Sequence, residues 1–578
     1  MDVVVERNVP ATMRDGAVLR ADVFRPAEAG RYPVLVQRTP YNKEMLPLTA
    51  LTLDPIRAAA SGYAIALQDV RGRWASDGEV FYLYRHEFDD GHDTVAWAAS
   101  LPYADGRVGQ YGVSYMGQTS WQTATTAPPA LGAIAPTTAP NDFALNHVWR
   151  GGALAWGLEL YWSLQAIGLA AMIRAKRGTA QLAPAMTELV DAVDGYELTA
   201  RHLPPRTLPA AREDDPRFIP FFRDVLANPG RNEFTAGLSV SGRHRSVRVP
   251  ALIVAGWHDL LLAADLDHFA AVRRDAATEV AREHSRIIIG PWSHGMFNNI
   301  VGDVDFGLRA SGLYLDLRED LTALHLRWFD HWLKDAANRV EEEPRVRLFV
   351  QGRNRWRDED DWPLRRAVPT AWYLAAGGGL GRGVPAAGEA PDAYVYDPQE
   401  PCPTRGGTVL MPHTFPAGPV DQAAILARRD VLVYTSAPLT AELEVTGPVA
   451  AALFTSSSAP STDWLVKLCD LDPRGRTLNV CDGIVRVGAE AAGGDPLVEP
   501  GTVACHAVDM WATSYVFLPG HRLRVIVTSS DFPRYDRNPN TGESALDATV
   551  TVPAVQRVFH DAERPSHLLL PVVPPALG

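Results

Sequence analysis

Five short apolar runs constrain this chain more than any other feature: "YPVLVQRTPY" (32–41), "GYAIALQDVRG" (62–72), "DGRVGQYGVS" (105–114), "VPALIVAGWHD" (249–259) and "SRIIIGPWSHG" (285–295). Each is too short for a buried helix and ends abruptly in polar or glycine-bearing residues. A run apolar at successive positions, not alternate ones, fits a strand covered on both faces. Between the early runs lies "DDGHDTVAWAASLP" (89–102), which has helical spacing and stops at Pro102. Strands and helices in alternation predict a mostly parallel sheet with helices packed on it.

The rhythm breaks twice. Residues 145–245 carry "GGALAWGLELYWSLQAIGLAAMIRAKRG" and "APAMTELVDAVDGYELTARHL", helical in period with little strand signal, and so read as an all-helical insertion over the sheet. The first domain then spans 1–144 and 246–354, closed by the helix "DLTALHLRWFDHWLKD" (320–335) with Leu321, Leu324, Trp328 and Trp332 on one stripe. From 355 to 578 the chain turns to short β-rich segments such as "DVLVYTSAPL" and "HRLRVIVTSS", punctuated by Pro, Gly and Asp, which predicts an antiparallel sandwich.

Composition narrows the function. At 578 residues and 46% hydrophobic, the chain can build several cores, and its net charge of −13 argues against a nucleic-acid binder, which needs a basic face. No run approaches the roughly 18 uninterrupted apolar residues of a membrane span. The start "MDVVVERNVPATMRDG" lacks a basic region followed by an apolar core, so the expected address is the cytoplasm. Cys402, Cys469, Cys481 and Cys505 form no C-x-x-C pair and no zinc pattern, and no phosphate-binding loop motif occurs; no metal and no cofactor are expected. A homodimer is one expected assembly.

The loops after the apolar runs hold the chemistry. "GQYGVSYMGQ" places Ser114 two residues after Gly112, as at a nucleophile elbow, but Gly117 follows three residues later where two is usual. A serine needs a histidine to take its proton, and the histidine needs a carboxylate to hold its tautomer. Asp259 and His294 follow the next two runs, giving the chain order Ser, Asp, His. Bland alternatives stand beside each: Ser114 as a helix cap, Asp259 as a turn residue, and His258 as a rival base. For the oxyanion, the backbone N–H of Tyr115 is one candidate donor, and the hydroxyl of Tyr41, in "QRTPYNK", is another.

These motifs, "RTPYNK", "QDVRGRWASDGE", "GVSYMGQTSW", "AGWHD" and "GPWSHG", with "TGPVAAALFTSSSAPSTDWLVKLCDLDP" and "FLPGHRLRVIVTSSDFPRYDRNPNTG" further on, resemble the cocaine esterase and X-Pro dipeptidyl-peptidase superfamily of serine hydrolases. The resemblance spans nearly the whole chain. It implies an α/β fold: an α/β-hydrolase core, an inserted helical cap, and a C-terminal jelly roll of the galactose-binding type. It also implies Ser114 as nucleophile, His294 as base, Asp259 as its partner, and Tyr41 and the Tyr115 amide as oxyanion donors. Ser-Tyr-x-Gly is the branch's own elbow, which accounts for the late glycine. Trp149 and Trp162 sit where such enzymes build an acyl pocket, and Leu261 stands where a larger aromatic can occur.

The expected function is cleavage of a small carboxylic ester through an acyl-enzyme, without metal, membrane or nucleic acid. Amide chemistry in the same site, as in a dipeptidyl peptidase, an acylase or an α-amino-acid ester hydrolase, is the first alternative. Such enzymes bind a substrate amine, for which Glu159 and Asp142 are candidates. A non-catalytic glycan- or protein-binding protein is the second.

Overall fold

A computed structural model describes residues 1–211, 215–488 and 496–574. The apolar runs become the middle of a ten-stranded sheet whose strands, in chain order, are β1 (Val3–Thr12), β2 (Val18–Pro26), β3 (Tyr32–Thr39), β4 (Ala64–Asp69), β5 (Ala104–Val113), β6 (Leu131–Thr137), β7 (Leu252–His258), β8 (Arg286–Ser293), β9 (Val346–Val350) and β10 (Arg355–Glu359). Their spatial order is β1-β2-β4-β3-β5-β6-β7-β8-β9-β10. Strands β3 to β9 pair in parallel, and the antiparallel pairings are confined to the two ends. Every residue of β4, β7 and β8 is buried, as strands covered on both faces require.

Helices supply the cover. On the sheet pack α1 (Glu87–Ala99), α2 (Tyr115–Thr125), α3 (Leu262–Asp275) and α4 (Leu321–Lys334). Asp320 starts α4 by accepting the Ala323 N–H at 2.7 Å, and Leu321, Leu324 and Trp328 are buried from it. Two features run against the sequence reading. The first two strands form an antiparallel hairpin that the apolar runs do not announce, because β1 is mostly exposed at the sheet's edge. The sheet also continues past 354 into β10, "RWRDE", whose polar edge sequence reads as loop.

Between β6 and β7 the chain leaves the sheet for short helices. Trp156–Leu160 runs directly into a π-helical stretch, Tyr161–Gly168. Its core is aromatic and aliphatic, with Trp156, Phe218, Phe221 and Phe222 buried. The C-terminal part is a β-rich layer built on the long strand Leu443–Ser457, which pairs antiparallel with Ala504–Phe517, Ala554–Phe559 and His567–Val573. Ala512 and Val516 of that layer join the same core as Ile253 and Trp257 of β7, so the two parts share an apolar seam close to the Asp259 loop. The architecture is an α/β-hydrolase core with an inserted helical cap and a C-terminal β jelly roll.

Candidate active site

Ser114 lies between β5 and α2 with φ 62° and ψ −122°, a left-handed conformation that a non-glycine residue adopts at a cost of about 1–3 kcal/mol. The flanking glycines show why the turn closes. A Cβ on Gly112 would stand 2.4 Å from the Met116 Cβ, and one on Gly117 would stand 3.0 Å from the Ala139 Cβ and 3.1 Å from the Gly112 carbonyl. Strand and helix therefore cross too closely for a side chain at 112, and 117 is tight against Ala139, Thr137 and the Gly112 carbonyl. The late glycine belongs to this crossing. Tyr115 is the first residue of α2, so its N–H has no acceptor within the helix.

His294 follows β8 and meets Ser114 at 2.8 Å through Nε2. Its Nδ1 lies 3.0 and 3.1 Å from the two oxygens of Asp259, which is fully buried on the loop after β7. With the ring proton on Nδ1, Nε2 is free to accept from the serine. The Leu261 N–H donates to Asp259 Oδ1 at 2.7 Å and fixes the carboxylate's second contact. His258 points elsewhere: its Nε2 pairs with Gln351 Oε1 at 2.7 Å, and burial pushes its pKa down to about 4.

Tyr41 faces the same serine. Its hydroxyl accepts the Trp162 indole N–H at 2.8 Å, and burial pushes its pKa up to about 12 against the opposing pull of its contacts with Trp162 and Ser114. The phenol thus keeps its proton and has it to give. The Tyr115 hydroxyl is turned away and donates to Glu87 Oε1 at 2.9 Å, while Glu87 pairs with Arg38 at 2.6 Å in a wholly buried contact.

A narrow cleft opens on Ser114 and His294 and is lined by Trp162, Leu261, Leu158, Tyr84 and Leu410, among others. Trp149 is not among the lining residues: it is 3% exposed and packs in the core of the helical insertion. Its place two residues after His147 and seven before Trp156 gives no sign of this inward turn. Asp142 is also outside the cleft and pairs with Arg231 at 2.8 Å. Two polar groups do line it. Burial and the nearby Arg150 push the His147 imidazole down to about 3, so it is neutral, and burial alone pushes the Glu159 carboxyl up to about 8. Among the described residues the Glu159 carboxyl has no hydrogen-bond or ion-pair partner. Sequence reasoning missed His147, Tyr84 and Leu410, which come from loops with no motif of their own.

Comparison with known proteins places the chain in a family. Residues 15–296 match the model of the X-Pro dipeptidyl-peptidase (S15 family), and residues 338–569 match that of the X-Pro dipeptidyl-peptidase C-terminal non-catalytic domain. The chain is 37% identical to the cocaine esterase of Rhodococcus sp. (strain MB1 Bresler), covering 98% of each. Among solved structures, an aminopeptidase from a marine sediment Thaumarchaeota archaeon superposes with a TM-score of 0.82 at 26% identity, over 99% of this chain and 97% of that one. An α-amino acid ester hydrolase shares the fold at a TM-score of 0.77 and 24% identity, over 99% and 97% of the two chains. On a relative this similar along its whole length and on both domain models, the chain belongs to the S15 family of X-Pro dipeptidyl-peptidases and cocaine esterase.

Proposed function

We propose that this chain is a serine hydrolase that cleaves small carboxylic esters through an acyl-enzyme. The observation that carries the reading is the unbroken chain Asp259, His294, Ser114, with the serine held on a strained turn opposite the Tyr41 hydroxyl. Ser114 Oγ attacks the ester carbon while His294 Nε2 takes its proton, and Asp259 steadies the imidazolium through Nδ1–H. The tetrahedral oxyanion receives the Tyr41 O–H and the Tyr115 N–H. His294 then gives the proton to the leaving alkoxide, and water repeats the sequence to release the acid. In the test, a fluorophosphonate labels Ser114 and p-nitrophenyl esters of graded acyl length are turned over; absence of both overturns the reading.

A second reading is favoured by one side chain. Glu159 places an unpartnered carboxyl among Trp162, Tyr84 and Tyr41, surroundings suited to a cation held by charge and by aromatic faces. The aminopeptidase and the α-amino acid ester hydrolase that share the fold are named for substrates with such a group. On this reading the ester or amide carries a protonated amine. Glu159→Gln then lowers kcat/KM for an aminoacyl ester about tenfold or more and leaves the deaminated isostere unchanged. Equal effects on both substrates would remove the second reading and leave the first.

A further inference from the structure

Arg150 is a buried cation without an acid. It lies on a short hairpin, Trp149–Arg150 with Ala153–Leu154, at the start of the helical insertion, and is 5% exposed. Among the described residues no carboxylate comes within ion-pair distance of it. Burial of a guanidinium in this state is costly, so its contacts must be specific ones. There are four. Nη2 donates to the carbonyl of Leu260, Nη1 donates to Thr408 Oγ1 at 3.1 Å, the guanidinium lies 4.0 Å from the ring centre of Trp511, and the Tyr535 side chain is a further hydrogen-bond partner. Leu260 is on the core, and Thr408 and Trp511 are on the C-terminal part, so one side chain joins all three regions of the chain.

The first contact bears on catalysis. The Leu260 carbonyl and the Leu261 N–H are the two ends of one peptide group, and that N–H is the donor that holds Asp259 Oδ1 at 2.7 Å. The peptide is planar, with its C=O and N–H pointing in opposite directions. A cation fixed at the oxygen therefore fixes the direction of the N–H, and polarises it toward stronger donation. Thr408 also accepts from Arg534 Nη2 at 2.6 Å, and Arg534 pairs with Asp482 at 2.8 Å, so the anchor leads back into a buried ionic cluster of the β layer.

We infer that Arg150 is a positioning residue for the reaction: by holding the Leu260–Leu261 peptide it aims the Asp259 carboxylate at His294, and through Thr408 and Trp511 it makes the C-terminal layer part of the catalytic scaffold. The role rests on the ester-hydrolase reading, which labelling of the wild-type enzyme at Ser114 tests separately.

The experiment compares kcat and the rate constant of fluorophosphonate labelling, each per titratable serine, in Arg150→Met and Arg150→Lys. The methionine keeps bulk but cannot donate; both rates fall about tenfold to a hundredfold, in the range of a small misplacement of a catalytic group, and kcat bears a larger share than KM. Lysine reaches the Leu260 carbonyl with a single donor and recovers most of the loss. Labelling still goes to completion in both. Trp511→Leu, which frees the guanidinium from its aromatic face, covers a methionine variant that does not fold, and its per-site rates drop several-fold. Per-site rates within about threefold of wild type in whichever of these variants folds, or a lysine variant no better than methionine, would overturn the inference.

Discussion

The indole N–H of Trp162 donates to the hydroxyl of Tyr41 across 2.8 Å, and that contact leaves the hydroxyl's own hydrogen unused. A phenol has one proton to give. The indole occupies one of the oxygen's lone pairs, and the proton stays available to an oxyanion formed at Ser114. Tyr41→Phe removes one donor from the hole and is expected to lower kcat about 10²- to 10³-fold, roughly 3–4 kcal/mol, with KM little changed. The substitution also strands the Trp162 N–H, so unfolding free energy drops by about 1–3 kcal/mol. A kcat within a few-fold of wild type means that the Tyr115 amide works with another partner.

Trp162→Phe separates orientation from donation. It keeps an aromatic lining and leaves the Tyr41 hydroxyl in place but free to rotate. The expected loss in kcat is smaller than for Tyr41→Phe, about tenfold, and the double variant is no worse than Tyr41→Phe alone, because both changes act through one oxygen. Additive losses in the double variant would show that Trp162 acts only by lining the cleft.

Ser114→Ala is expected to lower kcat by about 10⁴-fold or more and to abolish fluorophosphonate labelling. The two histidines of the neighbourhood divide sharply. His294 touches both Ser114 and Asp259, whereas His258 is engaged with Gln351. His294→Ala is therefore nearly inactive and His258→Ala keeps most of its kcat, although losing the buried Gln351 contact lowers its melting temperature. An inactive His258→Ala that folds normally would reassign the base.

Much of the core was legible because burial on both faces leaves an apolar run that nothing else imitates. The runs at 249–259 and 285–295 become β7 and β8, and the residues just past them meet in one hydrogen-bonded chain with Ser114. The glycines at 112 and 117 were legible as spacing, but their cause, a helix pressed against β5 and the end of β6, arises only in the fold. The helical insertion was less readable. Tryptophans 149 and 162 lie in similar apolar surroundings, yet the π-helical stretch from Tyr161 turns Trp162 to the cleft while Trp149 packs inward. No local pattern encodes that choice, since both positions bury an aromatic ring. Arg150 was invisible for a related reason: its partners, at 260, 408, 511 and 535, are distant in sequence.

The last prediction follows from the Glu159 carboxyl. Burial raises its pKa from 4.5 to about 8, so between those values the folded protein holds a proton that the unfolded chain has lost. Stability is then fully present below about pH 4.5 and declines as pH rises toward 8, because the unfolded state binds fewer protons across that window. Glu159→Gln keeps the shape and removes the titration. The variant is expected to match wild type near pH 4.5 and to exceed it by one to a few kcal/mol at pH 8, the shift being an upper bound because the group faces an open cleft. Melting temperatures of both proteins from pH 4.5 to 8.5 give the test: the gap should widen steadily to pH 8 and then level. A permanently charged ligand such as a betaine ester should narrow it, since a cation beside Glu159 favours the ionised carboxylate that burial opposes. A gap independent of pH would mean that the carboxyl is solvated in the free enzyme and is not poised to receive a cation.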